Sequence, residues 1–141
     1  MPHDHAPDDF DWVAAQAHCN AATAFERLRA GAKDDVRRRN SVLGRQDGWT
    51  FEFAEDDEGF NVSRVEGRFA TSNVAALVRF ERAGPRINVR GDAVDVDFTA
   101  VLTLDAGGQC RFVVGEALYA EWEVRRMALE LLFFEEPDDT E

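Results

Sequence analysis

Long hydrophobic runs are missing from this chain. No stretch approaches the roughly 20 apolar residues of a membrane-spanning helix, which excludes that class of anchor. The first nine residues, MPHDHAPDD, lack the basic segment and apolar run of a signal peptide, so none is expected there and the expected compartment is the cytoplasm. Only two cysteines occur, Cys19 and Cys110, too few for a disulfide-dense scaffold and without Cys or His neighbours at metal-ligand spacing. Free thiols are the expectation for a cytoplasmic chain, with a bond between the two as the alternative. Lysine is nearly absent: fifteen of the sixteen basic residues are arginine and Lys33 is the exception. With abundant alanine and a single isoleucine, Ile87, this reads as codon bias in a GC-rich genome.

Sequence signatures of common catalytic sites are missing as well. Two of the three histidines, His3 and His5, lie in the polar start of the chain, which reads as a solvated tail. His18 neighbours Cys19, but adjacent helical residues diverge by about 100°, so the two do not face each other. No nucleophile elbow occurs, and Gly107-Gly108 lies between strand-like segments rather than before a helix, so it is no phosphate cradle. Asp95 and Asp97 would point the same way from one strand about 7 Å apart, but Asn88 and Arg86 are expected to partner them across a hairpin. Asp56-Asp57-Glu58-Gly59 lacks the alternating ligand spacing of a calcium loop and reads as a hairpin tip. No residue is assigned to catalysis, to a metal or to a cofactor.

What the chain does have is a core. Its 141 residues are 45% hydrophobic and 11% aromatic, with eleven phenylalanines, enough for one globular domain, expected over residues 10–136 between the tails 1–9 and 137–141. Sixteen basic against twenty-eight acidic residues leave a net charge of −12, which argues against nucleic acid or anionic membrane as general partners.

A long helix is predicted from Asp9 or Asp11, either able to cap it, to about Leu43, with Gly44 placed to end it. Phe10, Val13, Ala17, Ala21, Ala24, Leu28 and Ala32 recur at three- and four-residue intervals, and Gly31 is a point where the helix could bend. Its second half is basic: residues 25–45 hold seven basic against three acidic side chains, with Arg37, Arg38 and Arg39 consecutive as a candidate anion patch.

From Trp49 the period changes to two, and about six antiparallel strands are predicted, through Trp49–Phe53, Phe60–Val62, Val74–Phe80, Ile87–Val89, Val94–Leu104 and Cys110–Val114. Gly91-Asp92 reads as a two-residue turn that sets Val89 against Val94 and Ile87 against Val96, with an ionic row Glu81–Arg86–Asp97 on the outer face. Residues 65–73 are read as a loop with some strand character.

The closing helix is predicted over Glu116–Glu136, before Pro137. Leu118, Trp122, Leu129, Leu132 and Phe133 fall on one stripe, and Val124, Met127, Leu131 and Phe134 on another, so its last turns are apolar nearly all round. The fold class is therefore α+β: a long N-terminal helix, an antiparallel meander and a C-terminal helix, both helices on one sheet face.

Three functions follow as expectations. A non-enzymatic protein-interaction module, self-associating as a homodimer or binding another protein, would use Met127, Leu131 and Phe134 or an exposed sheet edge. A small-molecule carrier, or an enzyme without a recognised signature, would hold its ligand between helices and sheet, against Trp49, Phe51, Phe98, Phe112 and Trp122. An anion-binding protein would use Arg37, Arg38 and Arg39. In size and acidity the chain resembles type III secretion chaperones, which are dimers that bind effector segments. Those chaperones place a helix within the run of strands, and this sequence predicts none.

Overall fold

The computed structural model describes residues 9–43, 48–66 and 73–134. Among them, α1 (Trp12–His18) and α2 (Ala21–Leu43) precede seven strands, β1 (Trp49–Glu55), β2 (Gly59–Glu66), β3 (Asn73–Ala83), β4 (Arg86–Asp92), β5 (Asp97–Leu104), β6 (Cys110–Val114) and β7 (Ala117–Tyr119), and α3 (Glu121–Phe134) closes the order. The strands form one antiparallel meander in sequence order. The architecture is α+β, with seven strands where about six were expected. Most of the tails expected over 1–9 and 137–141, the helix stop at Gly44 and residues 67–72 of the stretch expected as a loop lie outside the described residues, while 65–66 and 73 belong to β2 and β3.

Alternation places one side chain in two against the helices. Phe51, Phe60, Val62, Val78, Phe80, Ile87, Val89, Ala100 and Phe112 are buried there beneath Ala24, Phe25, Leu28, Ala32 and Val36 of α2 and Val124, Ala128, Leu129, Leu132 and Phe133 of α3. Phe53, Phe60 and Phe80 stack at centroid separations of 5.4 and 4.5 Å, and Phe25 of α2 meets Phe60 at 5.4 Å. Gly59 starts β2 where a side chain would collide with the Phe80 carbonyl, a close backbone approach only glycine permits. The outer face carries polar side chains but also an apolar row, Val101, Val113 and Leu118, in register across β5, β6 and β7.

Several local expectations are corrected. The N-terminal helix breaks at Cys19-Asn20 rather than at Gly31. Asn20 Oδ1 accepts from Thr23 N at 2.9 Å and its Nδ2 donates to Ala17 O at 3.0 Å, so one side chain ends α1 and caps α2. Asp11 caps α1 as expected, accepting from Ala14 N. The closing helix starts at Glu121, not Glu116: Gly115, at φ +63°, turns the chain so that Ala117–Tyr119 pair with β6 as β7. Glu123 then accepts from Ala120 N at 2.8 Å, one half of a capping box.

The Gly91-Asp92 hairpin turn is not formed. Both residues belong to β4, the connection is wider, Ala93 takes φ +65°, and Val89 faces Phe98 while Ile87 faces Ala100. The slip relative to the expected pairing is even, so every apolar residue keeps its face and the core is indifferent to it. The row Glu81–Arg86–Asp97 is lost with that register: Glu81 faces Asn88 and pairs with Arg79 at 2.7 Å, and Asp97 faces Arg90.

The cysteines are joined. A disulfide links Cys19, at the break between α1 and α2, to Cys110 at the start of β6, with the Cα atoms 5.4 Å apart. This overturns the expectation of free thiols. Residues 91 apart in sequence meet because the meander brings β6 back beneath the start of the helical layer.

Candidate functional site

α2 and α3 lie side by side on the sheet, and two arginine contacts bracket their seam. At one end Arg125 Nη1 bonds Asp35 Oδ1 and Oδ2, both at 2.7 Å, and Gly31 O at 3.2 Å. Its Nε lies 2.6 Å from Glu121 Oε2. Burial works against the charge, but the field of Glu121 and the hydrogen bond to Asp35 outweigh it, so the Arg125 pKa is raised further. A methyl group at Gly31 would lie 2.7 Å from Arg125 Nε, so this helical glycine makes room for the guanidinium. At the other end Arg39, 4% exposed, donates from Nε to Phe133 O at 2.9 Å, with its guanidinium 4.7 Å from the Phe51 ring centroid. Arg64, reaching up from β2, donates to Leu132 O at 3.2 Å and lies 4.2 Å from the Trp49 ring centroid. Two guanidiniums thus meet carbonyls in the last described turn of α3, Leu132 O and Phe133 O, toward the end of the helix that favours positive charge.

Between these brackets runs a groove of about 440 Å³, lined on α2 by Asp35, Arg38, Arg39 and Val42 and on α3 by Trp122, Arg125, Arg126, Leu129, Glu130, Phe133 and Phe134. Leu129 and Phe133 are buried and form its floor, while Val42, Trp122 and Phe134 are 77%, 55% and 61% exposed around it. Arg38 pairs with Asp34 at 2.7 Å and Arg126 with Glu130 at 3.4 Å, each one turn along its own helix.

The sequence candidates scatter over this geometry. Phe134 lines the groove, but Met127 is half-buried and Leu131 packs on the core, so the interface trio divides. Of the five residues expected around an internal pocket, Phe51 and Phe112 are buried in the packed core and Trp49 and Phe98 are partly buried against it. Trp122 instead faces the groove. The three consecutive arginines diverge: Arg37 and Arg38 are exposed beside Asp34, while Arg39 turns inward. One residue or two from each set nevertheless meet in a single place, since Phe134, Trp122, Arg38 and Arg39 all line the groove. Sequence reasoning missed Asp35, Val42, Arg125 and Glu130; the usable signal was Gly31, a helical glycine that marks a close neighbour.

The other candidates have structural occupations. Asp95 sits in the connection before β5, and Asp97 is exposed, 4.0 Å from Arg90. Asp56 Oδ1 accepts from Glu58 N, Gly59 N and Arg79 Nη2. The Arg79 hydrogen bond, then the Glu58 amide, lower its pKa to about 2. Asp105 Oδ1 likewise accepts from Gly107 N and Gln109 N and shapes the Gly107-Gly108 turn, with its pKa lowered chiefly by the Gln109 amide. His18 is exposed at the end of α1. Among the described residues no three His, Cys, Asp or Glu side chains gather as a metal site.

Comparison with protein-family models, with curated proteins and with solved structures finds no match to this chain.

Proposed function

We propose that the chain is a non-enzymatic protein-interaction module and that the groove between α2 and α3 is its binding element. One observation carries this: Val42, Trp122 and Phe134 stand exposed together around a floor of buried Leu129 and Phe133, on a frame held at both ends by Arg125 and Arg39. Contiguous exposed apolar surface of this kind marks a contact site, and a frame already ordered loses little entropy when a partner docks. Of the two sheet edges, β1 and β7, the first is covered at one point. Asn40 of α2 accepts from Phe51 N at 3.0 Å and donates to Phe51 O at 2.9 Å, occupying β1 as a neighbouring strand would.

The test is a photo-crosslinking side chain at Val42 or Trp122, with Thr99 on the outer sheet face as control. Adducts are expected at the two groove positions and not at Thr99; equal labelling at all three, or none in the groove, overturns the proposal.

A carrier of a small apolar carboxylate is the second reading, favoured by a volume within the range of roughly 300–1,000 Å³ typical of ligand pockets. Likeness to secretion chaperones rests on size and charge, and the strands described here run on without an inserted helix.

Among the described residues no helix is long and apolar enough to cross a membrane. For the compartment, the Cys19–Cys110 bond fits an oxidising environment better than the reducing cytoplasm expected from the sequence. Alkylation of the freshly isolated protein distinguishes them: a blocked pair supports the former and two modified thiols the latter.

A further inference from the structure

We infer that the occupant of the α2–α3 groove is an acidic amphipathic helical segment of another protein, an inference that rests on the groove being the binding element. Charge is the first reason. Of the four arginines in the lining, Arg125 is matched by Asp35 and Glu121 and Arg39 turns inward onto Phe133 O, so Arg38 and Arg126 are the cations an occupant meets. Arg38 and Arg126 stand on opposite walls, their side chains 75% and 64% exposed. Each pairs with an acid one turn away whose side chain is 44% or 49% exposed, a pairing worth about 0.3–0.5 kcal/mol. A carboxylate arriving over the apolar floor displaces water from around the guanidinium and competes well with such a pair.

A second copy fits less well. A two-fold contact through this face would set the exposed Arg38 and Arg126 against their own images. Shape is the second reason for a helix. Two helices lying side by side leave a long apolar furrow between their shoulders, which a third helix fills with side chains spaced three and four residues apart. An extended segment would instead look for a strand edge, and the groove is lined by the two helices alone.

The test uses the full chain and three fluorescein-labelled helical peptides. One carries Leu and Phe at every third and fourth position with Glu on both flanks, one is the same with Lys, and one has Ser at the apolar positions. Fluorescence anisotropy is expected to show the Glu peptide binding at least tenfold tighter than either alternative and weakening as salt rises. The double variant Arg38→Glu, Arg126→Glu, both on exposed side chains, should reverse the preference between the Glu and Lys peptides. Equal or tighter binding of the Lys peptide overturns the inference while leaving the groove in place, as does absence of peptide binding together with groove crosslinks. Binding of the Glu peptide that is unmoved by Val42→Ser and Trp122→Ser shows instead that the groove is not the site. Two further outcomes overturn the inference by naming another occupant: a dimer in light scattering that Trp122→Ser dissolves, or a tenfold gain in peptide affinity when residues 135–141 are deleted.

Discussion

Asparagine and arginine do much of the positioning here, one hydrogen bond at a time. Asn40 serves the free side of β1 with both ends of its amide, so Asn40→Ala is expected to destabilise the protein by about 1–2 kcal/mol. Asn40→Asp keeps the acceptor for Phe51 N but sets a carboxylate against Phe51 O, and should be no better. A near-isosteric Asp variant as stable as the native chain in urea would dismiss the edge-closing role. Asp56 makes a pH-dependent contribution. Its carboxyl titrates at about 2 in the folded chain against an ordinary 3.8, so folding favours the ionised form. The stabilisation is therefore full above 3.8 and lost as pH falls towards 2. Asp56→Asn should flatten the fall in urea midpoint across that window without abolishing it, because Asp105 is shifted in the same direction. An unchanged pH profile would show that the Arg79 and backbone bonds do not persist in solution. None of these partners was legible in the sequence: Asn40 and Phe51, or Asp56 and Arg79, meet only once helix and strands are packed.

Among the elements, α2 and α3 show how a propensity argument changes sign in context. Glycine in a helix interior is less favourable than alanine by about 1 kcal/mol, so Gly31→Ala ought to stabilise an isolated helix. Here the new methyl would displace the Arg125 guanidinium from Asp35 and Glu121, and the variant is expected to be less stable than the native chain. Removing the obstacle with Arg125→Ala should restore the normal sign, making Gly31→Ala stabilising by about 1 kcal/mol in that background. Additive effects in a thermal-denaturation cycle would count against the bracket. The same contest of local preference and packing decided α3. Ala117–Tyr119 suit a helix, yet Gly115 delivers them to the edge of β6, where pairing wins. The helix that remains buries Val124, Ala128, Leu129, Leu132 and Phe133 and leaves Trp122 out, so Val124 of the second expected stripe joins the buried face and Trp122 of the first leaves it.

At the scale of the molecule, one covalent bond ties the helical layer to the far end of the sheet. The Cys19–Cys110 link closes a loop spanning a sequence separation of 91 residues, for which the lost freedom of the unfolded chain amounts to about 4–5 kcal/mol. Cys19→Ser with Cys110→Ser should lower the denaturant midpoint to that of the reduced native protein, and reductant should leave the double variant unchanged. A native protein indifferent to reductant would exclude the bond as a stabilising element. Read from sequence alone, this chain already declares its class. Period-two alternation from Trp49 to Val114, helical spacing before and after it, and the scarcity of turn residues within elements determine helices over an antiparallel meander with one apolar face, since side-chain parity depends only on local geometry. Tertiary structure decided the rest. Strand register, the disulfide, the inward turn of Arg39 and the groove that gathers Trp122, Phe134 and Arg38 all join residues far apart in the chain, and an even slip between strands satisfies the same apolar pattern. Local pattern says which side of an element is buried; only the packed whole says what stands opposite it.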